Sequence, residues 1–151
     1  MWFGGGRLDG PRSVAVHDGP DGERTRTLEA RHVILATGSV PREIPPAPFD
    51  GQRILSSDHV LELDRVPESM VVIGAGAVGV EFASIYHDFG SRVTLVEALP
   101  HLLPIEDEEV SKELAKAFRK KGIDVRTSTR LEAAESTTNG VKVTLSGDGA
   151  G

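Results

Sequence analysis

The sequence predicts an α/β fold, and three observations carry that prediction. Met70 to Ile73 is a short apolar run rich in β-branched residues, the pattern of a buried strand. Three glycines follow it at G-x-G-x-x-G spacing, Gly74, Gly76 and Gly79, and open a helical pattern that runs to Gly90. A second β-type run, Arg92 to Val96, stops at an acid, Glu97. A helix from about Asp107 to Lys121 and a third strand, Ile123 to Thr127, extend this to β-α-β-α-β, a Rossmann-like unit.

The elements in chain order support the same class. Residues 1 to 10 carry glycines without periodicity and read as a frayed start or an interrupted strand. Arg12 to His17 and Thr25 to Ala30 alternate polar and apolar residues around the turn signal Asp18-Gly19-Pro20-Asp21-Gly22, which predicts a β-hairpin or meander. Val33 to Ala36 is continuously apolar and is expected to be a strand buried on both faces, ending in the small-residue turn Thr37-Gly38-Ser39. Proline-rich Pro41 to Pro48 cannot be helix or central strand and reads as a semi-rigid connector. Ser56, Ser57 and Asp58 are candidate N-caps of a short helix within Ile54 to Leu63.

In the helix after the glycines, Val78, Phe82, Ile85 and Phe89 share one face and are the expected core stripe, with Gly90 past its end. The next helix has Val110, Leu114, Ala117 and Phe118 as its expected core face and Gly122 as its stop signal. Acids Glu106 to Glu109 crowd its first turn and Arg119 to Lys121 its last, as the macrodipole favours. Leu131 to Ser136 and Val141 to Leu145 flank Thr137-Thr138-Asn139-Gly140, a hairpin signal.

The glycine turn has a chemical reading. Gly74 permits a tight exit from the strand, Gly76 lets a pyrophosphate approach the backbone, and Gly79 lets the helix pack closely on the sheet. Phosphates would sit at the helix N-terminus, where free N–H groups and the dipole attract anions. Glu97, roughly 20 residues beyond the first glycine, stands where an acid accepts hydrogen bonds from the adenosine ribose. A carboxylate there repels a 2′-phosphate, and no Arg or Lys occurs from Ala98 to Glu109, so NAD is favoured over NADP. The competing reading is a glycine-rich turn in an ordinary βαβ unit with no ligand. Glu81, one turn into the helix, is either a solvated helix residue or one directed towards the far end of the dinucleotide.

Composition sets the bounds. The chain has 151 residues, 38% hydrophobic and 26% charged, enough for a domain with a real core. Its formal net charge of −6 argues against a general nucleic-acid surface. With no cysteine there is no disulfide, thiolate nucleophile or Cys-based metal site. No metal ligand set stands out. His17 and His101 read as surface residues, and His59 lacks a partner. No apolar run approaches the roughly 20 residues of a membrane span, so the expectation is a cytoplasmic protein.

The stretches VILATGSVPREIP (33 to 45), ILSSDHVLELDRVPESMVVIGAGAVGVEFASIYHDFGSRVTLVE (54 to 97) and the D-E-E-V helix with KGIDV (107 to 125) resemble the pyridine nucleotide-disulfide oxidoreductases, a family that includes dihydrolipoyl dehydrogenases. The resemblance implies an NAD-binding domain inserted into an FAD-binding one. By that likeness residues 1–48 are part of the FAD-binding domain, 49–69 a connector and 70–151 the NAD-binding domain. Flavin contacts fall on Thr37, Gly38 and Ser39. NAD contacts fall on Gly74, Ala75, Gly76, Ala77, Val78, Gly79, Val80 and Glu81, on Glu97, and on the backbone of Leu131. Glu81 takes the place of a glutamate beside the nicotinamide and flavin.

The family also implies homodimers serving 2-oxoacid dehydrogenase complexes, and electron flow from a dithiol through FAD to NAD. The family's C-x4-C redox pair, its N-terminal FAD fingerprint and its catalytic His-Glu pair have no counterpart here, which implies an internal fragment that is inactive alone. The alternatives are a piece of an NADH:quinone or ferredoxin reductase, a non-catalytic NAD-binding module, or a product that does not fold and leaves residues 33 to 36 as exposed, aggregating strand edges.

Overall fold

A computed structural model describes residue 1 and residues 3–149. The chain divides into two compact units, Met1–Val40 and a second beginning at Pro41.

The first unit is an antiparallel meander of β1 (Gly5–Leu8), β2 (Ser13–His17) and β3 (Arg24–Glu29) in the order β1-β2-β3. The sequence expectation of a meander holds, and the glycine-bearing start supplies its first strand. Ala15 at the centre of β2 is its one buried hydrophobic residue among those described. The strand expected at Val33 to Ala36 is not formed. These residues are irregular, Ile34 is 89% and Leu35 68% exposed, and no described strand pairs with them. A strand of this composition needs neighbours on both edges and cover on both faces, and the unit supplies neither.

The second unit is built around a parallel sheet of β4 (Ser69–Ile73), β5 (Arg92–Val96) and β6 (Asp124–Arg126), in the order β4-β5-β6. Helix α2 (Ala77–Asp88) joins the first pair, and α3 (Glu108–Lys121) joins the second. Both helices contribute to one core with the strands: Val80, Ala83 and Tyr86 of α2, Phe118 of α3, Val93 and Leu95 of β5, plus Leu102 and Ile123. The hairpin β7 (Thr129–Thr137) and β8 (Gly140–Gly147) follows, turning on Thr138 and Asn139. The α/β class is as the sequence predicts.

Two helix faces differ from expectation. In α2 the buried residues are Val80, Ala83 and Tyr86 and Phe82 packs against the core as expected, whereas Val78, Ile85 and Phe89 are 55%, 44% and 63% exposed. The helix backbone comes too close to β4 for large side chains at the contact. A Cβ on Gly79 would lie 1.9 Å from the Gly74 carbonyl oxygen, so no side chain fits at that point of contact. In α3 the buried residues are Ser111 and Phe118, with Leu114 and Ala115 partly buried, while Val110 is 53% exposed and Ala117 is exposed. Ser111 faces inward because its hydroxyl reaches the Leu103 carbonyl, at 3.5 Å.

The helix ends follow their signals. Gly90 (φ 102) and Gly122 (φ 103) take the left-handed turn past each helix. The short helix α1 (Ser57–Leu61) is capped by Ser56, and His59 Nδ1 accepts the Ser56 N–H in return. That structural role accounts for His59.

The two compact units meet at Val40/Pro41. Residues 41–69 are tied into the second unit. Ala134 N–H donates to the Pro46 carbonyl, the Ser136 hydroxyl to Asp50 Oδ2, and the Tyr86 hydroxyl to the Val60 carbonyl (2.7 Å). Among the described residues, no helix is long and apolar enough to cross a membrane.

Candidate dinucleotide site

The glycine turn joins the C-terminal end of β4 to α2. Gly74 has φ 94, which a side chain would strain, and its N–H donates to the Val96 carbonyl at 2.8 Å. Gly76 is the N-cap of α2 and makes no side-chain cap bond. A Cβ there would meet nothing within 4 Å, so the space in front of the turn is open. Gly79 is the close-packing glycine described above. Gly74 turns the chain, Gly79 packs closely, and Gly76 leaves open space in front of the turn.

Glu97 is brought to this turn. It is buried, at 8% exposure, and its two carboxylate oxygens accept backbone N–H groups: Oε2 from Ala75 at 2.7 Å and Oε1 from Leu99 at 2.9 Å. The sequence assigned this acid to a ligand. The structure gives it a second task, holding the turn to the loop after β5. Each carboxylate oxygen retains further acceptor capacity, so the two tasks are compatible.

Backbone bonds around the site use up the inward-facing polar groups. The Leu103 N–H donates to the Ala75 carbonyl (2.8 Å), Glu97 N–H to the Arg126 carbonyl (2.8 Å), and Thr129 N–H to the Glu97 carbonyl (2.9 Å). The N–H groups of Gly76, Ala77 and Val78 have no protein acceptor among the described residues. These are the outward donors of a helix N-terminus.

The remaining candidates fall as follows. Ala75 is fully buried and Val80 is in the core, so their side chains support the turn from behind. Ala77 and Val78 are exposed at the open face, and Glu81 is exposed in the second turn of α2. Leu131 is half-buried in β7, two residues beyond Thr129, whose N–H is bonded to Glu97. Thr37, Gly38 and Ser39 belong to the first unit, exposed and outside regular structure, with Gly38 at φ 84. Sequence reasoning missed Leu99 and Leu103, which act through backbone N–H groups. The left-handed backbone of Leu103 (φ 48) and Ser128 (φ 49) has no residue-type signal.

A family model described as pyridine nucleotide-disulphide oxidoreductase matches residues 6–150. The chain belongs to this family. Among curated relatives, a dihydrolipoyl dehydrogenase from Zymomonas mobilis is 41% identical over 95% of this chain and 30% of its own length. One from Chlorobaculum tepidum is 45% identical over 83% of this chain and 27% of its own. Among solved structures, LpdA from Mycobacterium tuberculosis superposes with a TM-score of 0.73 at 32% identity, covering 95% of this chain and 32% of that one. A ferredoxin reductase from Rhodopseudomonas palustris gives 0.66 at 26% identity, covering 93% and 35%. The chain spans about a third of the length of the relatives it matches.

Proposed function

We propose that this chain is the NAD-binding portion of a dihydrolipoyl dehydrogenase-like flavoenzyme. The observation that supports the reading best is the open turn at Gly76, with the unclaimed N–H groups of Gly76, Ala77 and Val78 beside the buried carboxylate of Glu97. The pyrophosphate of NAD would accept from those N–H groups, aided by the α2 dipole. The adenosine ribose would donate to Glu97, and a 2′-phosphate would be repelled by it. Leu131 would meet the adenine through its backbone, and Glu81 would face the nicotinamide side. NAD, when bound, supplies the hydride acceptor.

FAD stands differently. Thr37, Gly38 and Ser39 would contribute flavin contacts in the whole enzyme, but they lie on an exposed turn and enclose no surface by themselves. The chain holds no cysteine, so no dithiol step is assigned to its residues. The whole enzyme would pass electrons from a dithiol through FAD to NAD, as a homodimer serving 2-oxoacid dehydrogenase complexes in the cytoplasm, while these residues alone would be inactive.

Calorimetry with NADH and NADPH tests the reading. NADH is expected to bind more tightly, and equal affinities would remove the role given to Glu97. The likeness to a ferredoxin reductase supports a second reading, in which the same nucleotide site serves a flavoenzyme without a dithiol. A C-x4-C pair encoded upstream in the same reading frame would discard it.

A further inference from the structure

Ala75 is held at both of its backbone polar groups by the segment that follows β5. Its N–H donates to Glu97 Oε2, and its carbonyl oxygen accepts from the Leu103 N–H at 2.8 Å. The peptide unit joining Ala75 to Gly76 is planar and trans, so its C=O and N–H point in opposite directions. Drawing the Ala75 oxygen towards Leu103 therefore turns the Gly76 N–H away from the protein, to the open side of the turn.

Leu103 makes this bond from a backbone that leucine rarely adopts, φ 48. The conformation is pinned on both sides. Leu102 before it is fully buried, and the Leu103 carbonyl accepts from Glu106 N–H at 2.9 Å. The Leu103 side chain also packs against the core cluster. A strained residue maintained by its surroundings points to a task at that position.

We propose that Leu103 is a positioning residue: its left-handed turn aims the Gly76 N–H at the pyrophosphate of the bound dinucleotide. This rests on the nucleotide-binding reading above. It assigns to the loop after β5, through a backbone group, part of the phosphate recognition that the glycine pattern alone would be credited with.

An amide-to-ester replacement at Leu103, introduced as the α-hydroxy acid of leucine, removes the N–H and keeps the side chain. NMR titrations with ADP and with adenosine then separate phosphate positioning from general loosening. The ester is expected to bind ADP about tenfold more weakly, the equivalent of one lost hydrogen bond, and adenosine within about twofold of the unmodified chain. Leu103→Gly, which keeps the N–H and adopts positive φ without strain, is expected to retain ADP affinity within about twofold. Unchanged ADP binding by the ester, or equal losses for ADP and adenosine, would overturn the proposal while leaving the nucleotide reading intact. If the unmodified chain bound neither ligand, the nucleotide reading would fall and this inference with it.

Discussion

Gly79 and Gly76 carry the same missing side chain for opposite reasons, and the same substitution separates them. At Gly79 a methyl group would sit 1.9 Å from the Gly74 carbonyl oxygen, a backbone atom that cannot yield cheaply. Gly79→Ala is expected to lower stability by about 1–3 kcal/mol in urea unfolding, as overpacking does. At Gly76 a methyl group meets nothing within 4 Å, and φ −70 suits any residue. Gly76→Ala is expected to shift stability by no more than about 1 kcal/mol, yet to weaken NADH binding at least tenfold, or about 1.4 kcal/mol, because the methyl occupies the phosphate's place. Glu97→Ala should fail in both respects, since it leaves the buried Ala75 N–H without an acceptor. A stability loss of about 1–3 kcal/mol is expected alongside the lost ribose contact, and thermal unfolding without ligand would reveal it. The backbone geometry at Gly74 and Gly79 is legible because a left-handed turn and a close approach each select glycine. Leu103 and Leu99 are not, because a backbone N–H is common to nearly every residue.

At the scale of elements, caps and periods were legible to different degrees. Ser56, Gly90 and Gly122 announced helix ends through local chemistry that needs no tertiary context. The core faces of α2 and α3 are legible in part: Phe82, Leu114 and Phe118 lie in or against the core, whereas Val78, Ile85, Phe89, Val110 and Ala117 are apolar but exposed. In α2 Ala83 is fully buried while the larger Phe89, at the helix C-cap, is 63% exposed. In α3 the polar Ser111 is fully buried beside the Leu103 carbonyl. Val33 to Ala36 has strand composition without strand partners, and pairing is a long-range property that a local pattern does not contain. Its amides are expected to exchange as fast as in an unfolded peptide, and limited proteolysis is expected to cut between residues 31 and 40 first. The segment leading into α1 carries a pH dependence. Asp50 accepts the Ser136 hydroxyl and the Arg53, Gln52 and Ile54 N–H groups, led by the Ser136 bond, and these hold its carboxyl well below the usual range. A carboxyl lowered in the folded state stabilises above its unfolded value of about 3.9 and loses that contribution as pH falls below it. Local opening of residues 50–54 measured by hydrogen exchange is therefore expected to increase below about pH 4, and Asp50→Asn should abolish the change.

For the whole molecule, the two units differ in what holds them. The core cluster lies entirely in the second unit, whereas the first has Ala15 as its buried apolar residue among those described. A three-stranded meander with so little buried surface is marginal by itself. Calorimetry is expected to show the second unit unfolding as a cooperative transition that NADH raises, by about 2.7 kcal/mol at a hundredfold excess over Kd. Residues 1–40 should contribute little to that transition, and a single ligand-shifted transition that includes them would contradict the division. With a net charge of −6, capture of the proposed nucleotide would rest on local donors rather than on a long-range field.

The double anchoring of Ala75 also has a kinetic consequence. A turn whose inward polar groups are already bonded has little left to order when a ligand arrives. At the proposed nucleotide site the competent form would then be the resting form, with no fraction of collisions lost to molecules awaiting a rearrangement. Stopped-flow mixing with NADH should give one exponential whose rate rises linearly with ligand concentration, and a plateau would mark a rearrangement that this geometry does not require.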